Sequence, residues 1–337
     1  MKLLEVLACP TCGGELKCTA TETDSTGEVV SGRLDCRREA HHFPIEDSIP
    51  RFVPRENYAA SFGYQWNKFK LEQIDSINGK TLSTDRFYSE TGWTKSWLAG
   101  KWILDAGCGA GRFLDVAAAS EANIVGVDLS SAIDAARSNL QGRKNIHFVQ
   151  ASIYELPFRE GAFDGCYCIG VVQHTPDPRR TIRTLPRLLR AGGRLAITAY
   201  VRKPWTKLNA KYLVRPLTKR LKKQTLLAGI KRTMPVLFPL TNALFRLPLA
   251  GRFFMFTIPV ANYVHEPQLT SKQRYDWAIL DTFDMLSPEY DQPPSPREMV
   301  DELTSAGVIN LRRLDNPGLN IIGEKAPVEN LHAGNTN

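Results

Sequence analysis

No apolar run in this 337-residue chain approaches the length of a membrane-spanning helix. The two most apolar stretches, residues 233–245 and 253–264, contain prolines and fall short of the about 20 residues a span requires. Long polar or low-complexity tracts are missing too. With 43% hydrophobic residues, the composition excludes disorder as the dominant state and leaves enough material for two domains. Seven scattered cysteines, an odd number, do not make a disulfide framework. Val6-Leu7-Ala8-Cys9 has the form of a lipoprotein cleavage box, but the residues before it are too few, and Glu5 interrupts them. These absences point to a reducing, cytoplasmic setting. No internal repeat is visible.

Acid is missing from one long segment. Residues 201–262 contain thirteen Lys or Arg and neither Asp nor Glu. The formal net charge of +8 is therefore local, since the remainder holds 30 basic and 35 acidic residues. Lys219-Arg220-Leu221-Lys222-Lys223 is the densest cluster, and short helices broken at Pro235, Pro239 and Pro248 are expected. Basic amphipathic helices suit peripheral contact with an anionic membrane through 201–262, or a phosphate-bearing amphiphile. Nucleic acid needs only the positive field. The plain structural reading is a lid whose lysines are solvated.

At the N-terminus a second Cys-x-x-Cys pair is lacking, since Glu39 stands three residues after Cys36. Cys9-Pro10-Thr11-Cys12, followed by two glycines, makes a knuckle that turns both sulfurs to one point. Cys36 with His41 or His42 completes a tetrahedral Zn²⁺ set, which would be structural because no position stays open. The stretch from Leu3 to Pro54 resembles the zinc-ribbon module that opens many bacterial methyltransferases, related to stand-alone zinc proteins that activate methyltransferases. In that register the usual fourth cysteine falls on Glu39. The resemblance implies Cys9, Cys12, Cys36 and His41 as ligands, with His42 and Glu39 as substitutes. A ribbon that has lost its metal and persists as packing is the alternative.

Lys101-Trp-Ile-Leu-Asp105-Ala-Gly107-Cys-Gly109-Ala-Gly111-Arg112 is the strongest signal in the chain. An apolar strand runs into a glycine turn, and an alanine-rich helix begins near Arg112. Glycines let the backbone approach a ligand, and the helix start favours negative charge. Asp128 ends a second apolar strand 19 residues past Gly109, where a carboxylate meets ribose hydroxyls. A dinucleotide fingerprint would need glycine at 112, where arginine stands.

Asp-x-Gly-x-Gly-x-Gly is instead similar to the class I S-adenosylmethionine (SAM) methyltransferases, type 11-like and closest to the small-molecule branch. The resemblance continues through Val149–Phe158, Phe163–Pro178 and Leu188–Ile197. It implies an α/β, Rossmann-like seven-stranded core with the small zinc ribbon in front and an inserted helical lid. By the same resemblance Asp105 fixes the glycine loop or reaches the methionine ammonium. Gly107, Gly109 and Gly111 line the methionine and ribose. Asp128 takes the ribose hydroxyls, Leu129 and Ile153 cover the adenine, and Ile169 belongs to the same cofactor wall. Ser152 stands where the family commonly has an aspartate bonding the adenine amine.

Methyl transfer is an in-line displacement that depends on placement. His174 follows the fourth strand, where ligands gather in such sheets, and its ordinary pKa suits proton removal. A loop histidine bonding nearby backbone is the alternative. The Asn/Asp-Pro-Pro-aromatic motif of amino-group methylation is absent there, as is a Pro-Cys for C5 methylation. Cys166 and Cys168 read as core. Ser295-Pro-Arg-Glu298 is a capping box opening a helix that Gly307 ends.

The divisions expected are a ribbon over 1–54, a SAM-binding core over 55–200, a basic lid over 201–263, the rest of the core over 264–325 and a disordered tail over 326–337. The function expected is SAM-dependent methylation of an O, N or C nucleophile on a small or amphiphilic acceptor. The alternatives are an RNA methyltransferase using ribbon and basic segment, and a non-catalytic SAM-binding partner.

Overall fold

The computed structural model describes residues 1–54, 57–68, 71 and 73–327. Four short antiparallel strands open the chain: β1 (Leu16–Thr23), β2 (Val29–Cys36), β3 (His42–Glu46) and β4 (Ile49–Pro50). Four helices follow: α1 (Ala60–Lys68), α2 (Asp75–Asn78), α3 (Leu82–Thr91) and α4 (Lys95–Leu98). The alternating part comes next, with β5 (Trp102–Ala106), α5 (Arg112–Ala118), β6 (Asn123–Asp128), α6 (Ala132–Asn139), β7 (Ile146–Gln150), β8 (Phe163–Ile169), α7 (Pro178–Thr184) and β9 (Leu189–Ala199). Its strands are nearly continuous apolar runs because helices cover both faces of a parallel sheet.

Three helices fill the basic segment: α8 (Ala210–Thr218), α9 (Lys223–Leu244) and α10 (Ala250–Thr257). The chain closes with α11 (Ser271–Leu286), α12 (Pro296–Ser305), β10 (Val308–Arg313) and β11 (Leu319–Lys325). Seven strands form one sheet in the order β7-β6-β5-β8-β9-β11-β10, in which β11 alone runs against the others. The α/β, Rossmann-like seven-stranded core expected from sequence is therefore present. Its strand order reverses between β5 and β8, and a crevice for ligands opens at such a switch point.

The ribbon is built into this sheet. Arg51 forms a parallel bridge with Gln150 at the end of edge strand β7, and Leu7 an antiparallel bridge with Phe158. Leu7, Leu34 and Ile45 of the ribbon share one buried cluster with Val149, Leu156 and Phe158 of the core.

Two details bear on the sequence reading. The capping box at Ser295 is formed in both directions, and Gly307 leaves the helix at φ +75°. The basic segment is less broken than expected: α9 runs 22 residues through Pro235 and Pro239. Each proline removes one helical hydrogen bond. Leu226, Leu227, Ile230, Met234 and Phe238 nevertheless make one buried face against Ala278, Ile279 and Phe283 of α11, and that packing holds the helix together. Pro248 does separate α9 from α10. Of the tail, Ala326 still donates its N–H to the Gly307 carbonyl, and residues 328–337 lie outside the described residues.

Candidate active site and metal centre

The C-terminal ends of β5 to β9 open into one cavity of about 780 Å³. Small-molecule sites span about 300–1,000 Å³. On the sheet side Gly107, Gly109, Asp128, Leu129, Ile153 and Ile169 line it. Opposite stand Phe62 and Trp66 of α1, Met255 of α10 and Trp277 of α11.

Gly107 and Gly109 sit at φ +93° and +52°, a region that side chains disfavour. At Gly107 a Cβ would lie 2.5 Å from Val171, so that loop position is closed to any other residue. Asp128 locks the loop to β6. One carboxylate oxygen accepts from the Gly109 N–H at 2.9 Å, the other from the Ser130 N–H and hydroxyl at 2.8 and 2.7 Å. Desolvation raises the Asp128 pKa, and those donors oppose the shift. The carboxylate keeps acceptor capacity towards the cavity.

Three of the residues expected in the cofactor site are not in the cavity wall. Asp105 is buried beneath the loop and accepts the Tyr167 hydroxyl at 3.0 Å, and burial holds its pKa well above the usual carboxylate range. Gly111, at φ +91°, packs on Leu140 and Ala136 and starts α5. The Ser152 hydroxyl accepts the Tyr154 N–H at 3.2 Å.

His174 is in the wall, with its ring edge-on to Phe62 and Tyr200. Its Nδ1 lies 3.1 Å from the Tyr290 carbonyl. A carbonyl only accepts, so Nδ1 carries the proton and Nε2 keeps its lone pair. Two carboxylates of α11, Asp281 and Asp284, face the same cavity. Desolvation and the neighbouring Asp284 push the Asp281 pKa up to about 7. Desolvation also raises the Asp284 pKa, with the charge of His174 opposing it. Lys211 of α8 lies over the Tyr200 ring and pairs with buried Asp291 at 2.7 Å.

About the N-terminal knuckle the ligand atoms of Cys9, Cys12, Cys36 and His41 all lie within 4.8 Å of one another. Cys9 Sγ is 3.4 Å from His41 Nδ1, and Cys12 Sγ is 3.4 Å from Cys36 Sγ. A Cβ on Gly14 would come within 2.9 Å of the Cys36 sulfur, so the turn needs glycine there. Glu39 pairs with the other ring nitrogen of His41 at 3.4 Å, and His42 turns away to Asp35. Backbone N–H groups of Glu39 and Arg38 hold the Cys36 thiol down to about 7.

Residues 104–197 match the family described as a methyltransferase domain, and residues 1–48 the family described as Trm112p-like protein. The chain is thus similar to a methyltransferase domain over 104–197, behind a segment similar to Trm112p-like proteins. The O-methyltransferase rstn1 of Aspergillus nomiae is 35% identical over 131 residues, which is 37% of this chain and 57% of that protein. A ubiquinone biosynthesis O-methyltransferase of Aromatoleum aromaticum is 37% identical over 101 residues, 29% of this chain and 43% of that protein. The chain spans about half the length of the curated relatives it matches. Among solved structures, human N-acetylserotonin methyltransferase in complex with SAM aligns at TM-score 0.43 and 15% identity, covering 82% of this chain and 61% of that one. The complex of the Haloferax volcanii Trm112 methyltransferase activator with a methyltransferase aligns at TM-score 0.44 and 12% identity, covering 79% and 98%.

The wall fits SAM: a side-chain-free glycine loop, a carboxylate at the end of β6, and apolar Leu129 and Ile153 beside it. The ribbon's cluster fits a structural zinc. Three thiols and an imidazole are zinc donors, and a tetrahedron with arms of about 2.3 Å spaces sulfurs about 3.8 Å apart, close to the separations here. Sequence reasoning missed the other half of the methyltransferase cavity. Tyr200 follows β9 directly, as His174 follows β8. Asp281 and Asp284 are three apart on α11, a spacing that puts both on one side.

Proposed function

We propose that the chain transfers the methyl group of SAM to a hydroxyl oxygen of a small, largely apolar, ring-bearing acceptor. One observation carries this reading: the Tyr290 carbonyl fixes the His174 tautomer and leaves Nε2 free as a base in the cavity wall. The named O-methyltransferases similar to residues 104–197 support the choice of oxygen. Apolar Phe62, Met255, Ile258 and Val260 suit an apolar or amphiphilic body, and residues 201–263 act as the lid over it.

When bound, SAM supplies an electrophilic methyl on a sulfonium. Asp128 accepts the ribose hydroxyls while its own bonds to Gly109 and Ser130 hold it still. Gly107 and Gly109 admit the methionine side, and Leu129, Ile153 and Ile169 pack on the remainder. Asp105, Gly111 and Ser152 act from behind, through Tyr167, α6 and the turn before Ile153. His174 Nε2 would take the hydroxyl proton of the acceptor. Cys9, Cys12, Cys36 and His41 hold the zinc, with Glu39 steadying His41.

The test is methyl transfer from labelled SAM to a panel of hydroxylated aromatic compounds and their amine analogues. His174→Ala should lower kcat by about 10²–10⁴ and leave SAM affinity intact. Undiminished turnover in that variant, or transfer to the amines alone, would remove the general-base assignment.

A further inference from the structure

We propose that the corner between α9 and α10 docks the chain on an anionic phospholipid surface, beside the entrance to the acceptor cavity. This rests on the reading of residues 201–263 as a lid over an amphiphilic acceptor. The thirteen cations of 201–262 are not equivalent. Several hold the lid to the core: Lys211 pairs with Asp291, Lys219 with Glu289 and Arg202 with Glu298. Arg215 donates to the carbonyls of Met285 and Pro288, and Lys223 to that of Ser287. Those contacts account for α8 and the start of α9.

At the far end of α9 the charges are spare. Arg246 and Arg252 pair with no carboxylate among the described residues, and both line one groove with Leu247, Leu249 and His265. The apolar side chains there face water: Leu249 is 97% exposed and Phe253 63%. Leu249 also sits at φ +61°, a conformation leucine disfavours, so the backbone presents this side chain outward at some cost. Met255 lines both this groove and the methyl-transfer cavity. The two spaces therefore lie on either side of one residue of the lid.

Guanidinium groups beside protruding leucine and phenylalanine match an anionic interface, where the cations meet headgroups and the apolar tips enter the acyl boundary. RNA would use the cations and leave Leu249 and Phe253 in water. A second copy of the chain would bring one acid-free cationic surface against another, which repels.

The experiment is co-sedimentation of the full, zinc-loaded chain with phosphatidylcholine vesicles, with and without phosphatidylglycerol, across a salt series. Binding should require phosphatidylglycerol and weaken with salt. Arg246→Glu with Arg252→Glu should weaken it at least about thirtyfold, and Leu249→Ser with Phe253→Ser at least about tenfold. Neither pair should change SAM affinity, measured by calorimetry on the same preparations. Lack of vesicle binding, equal binding by the variants, or binding to tRNA in place of vesicles would overturn the docking site. So would a dimer in light scattering that the Leu249 and Phe253 changes dissolve. Loss of SAM binding in the unaltered chain would instead strike the methyltransferase reading, so the two failures are distinguishable.

Discussion

Asp128 has two tasks in one carboxylate: it closes the glycine loop through Gly109 and, in the proposed reading, accepts the ribose. Each hydrogen bond to a charged group contributes about 1.5–3 kcal/mol. Asp128→Ala should therefore weaken SAM binding by more than about a hundredfold by calorimetry, and undiminished binding would remove the ribose assignment. Asp281 yields a prediction of opposite character. Its pKa is raised to about 7 in the folded chain, so the folded state disfavours its charge. The penalty is absent below the unfolded carboxylate pKa, grows as pH rises towards 7 and is complete above it. Asp281→Asn should thus gain in melting temperature over the unaltered protein between about pH 5 and pH 8, with no gain near about pH 4. The places of Asp128 and His174 in the cavity wall were legible in the sequence, because a strand ends there and sheet topology sends such positions to the crevice. The place of Asp105 was not. Asp105 stands in register with Tyr167 on the neighbouring strand, and alternation along β5 does not say which face meets the ligand.

Among the elements, the joint between ribbon and sheet is the most informative. Arg51, 4% exposed, donates to Gln150 and to Asp134, each at 2.7 Å, and forms an ion pair with Glu46 at 3.2 Å. It ties the ribbon to β7 and α6 together. Removing one partner of a buried pair costs about 3–5 kcal/mol. Arg51→Ala should lower the melting temperature by more than about 5 °C, while Arg33→Ala, whose partner Asp35 lies within the ribbon, should leave it nearly unchanged. Sequence patterning placed the strands of the core and the Ser295 cap, since strand periodicity and capping are local. It passed over the equivalent Thr270–Gln273 box at α11 and broke α9 at prolines. The α9 error has a tertiary cause: the helix is held by the face it buries on α11, which no local rule reports.

At the scale of the molecule, ribbon and seven-stranded domain share one core, so a zinc in the knuckle would reach further than its four ligands. Ala8 donates to the Pro157 carbonyl, Arg159 to that of Val6, and Phe52 to that of Gln150. All three bonds grip the segment from Gln150 to Arg159, which carries Ile153 and Leu156 into the SAM cavity. A structural zinc contributes about 10–16 kcal/mol of binding free energy to the fold it closes. Its loss would free the knuckle at Cys9 and Cys12 and loosen Leu7 and Ala8 beside it. The zinc-loaded chain should therefore melt in a single transition and contain close to one zinc per molecule. Chelation should lower the melting temperature and weaken SAM binding together, although no ribbon residue lines the cavity. An independently melting ribbon, with SAM affinity unchanged after zinc removal, would show that the shared core does not couple them.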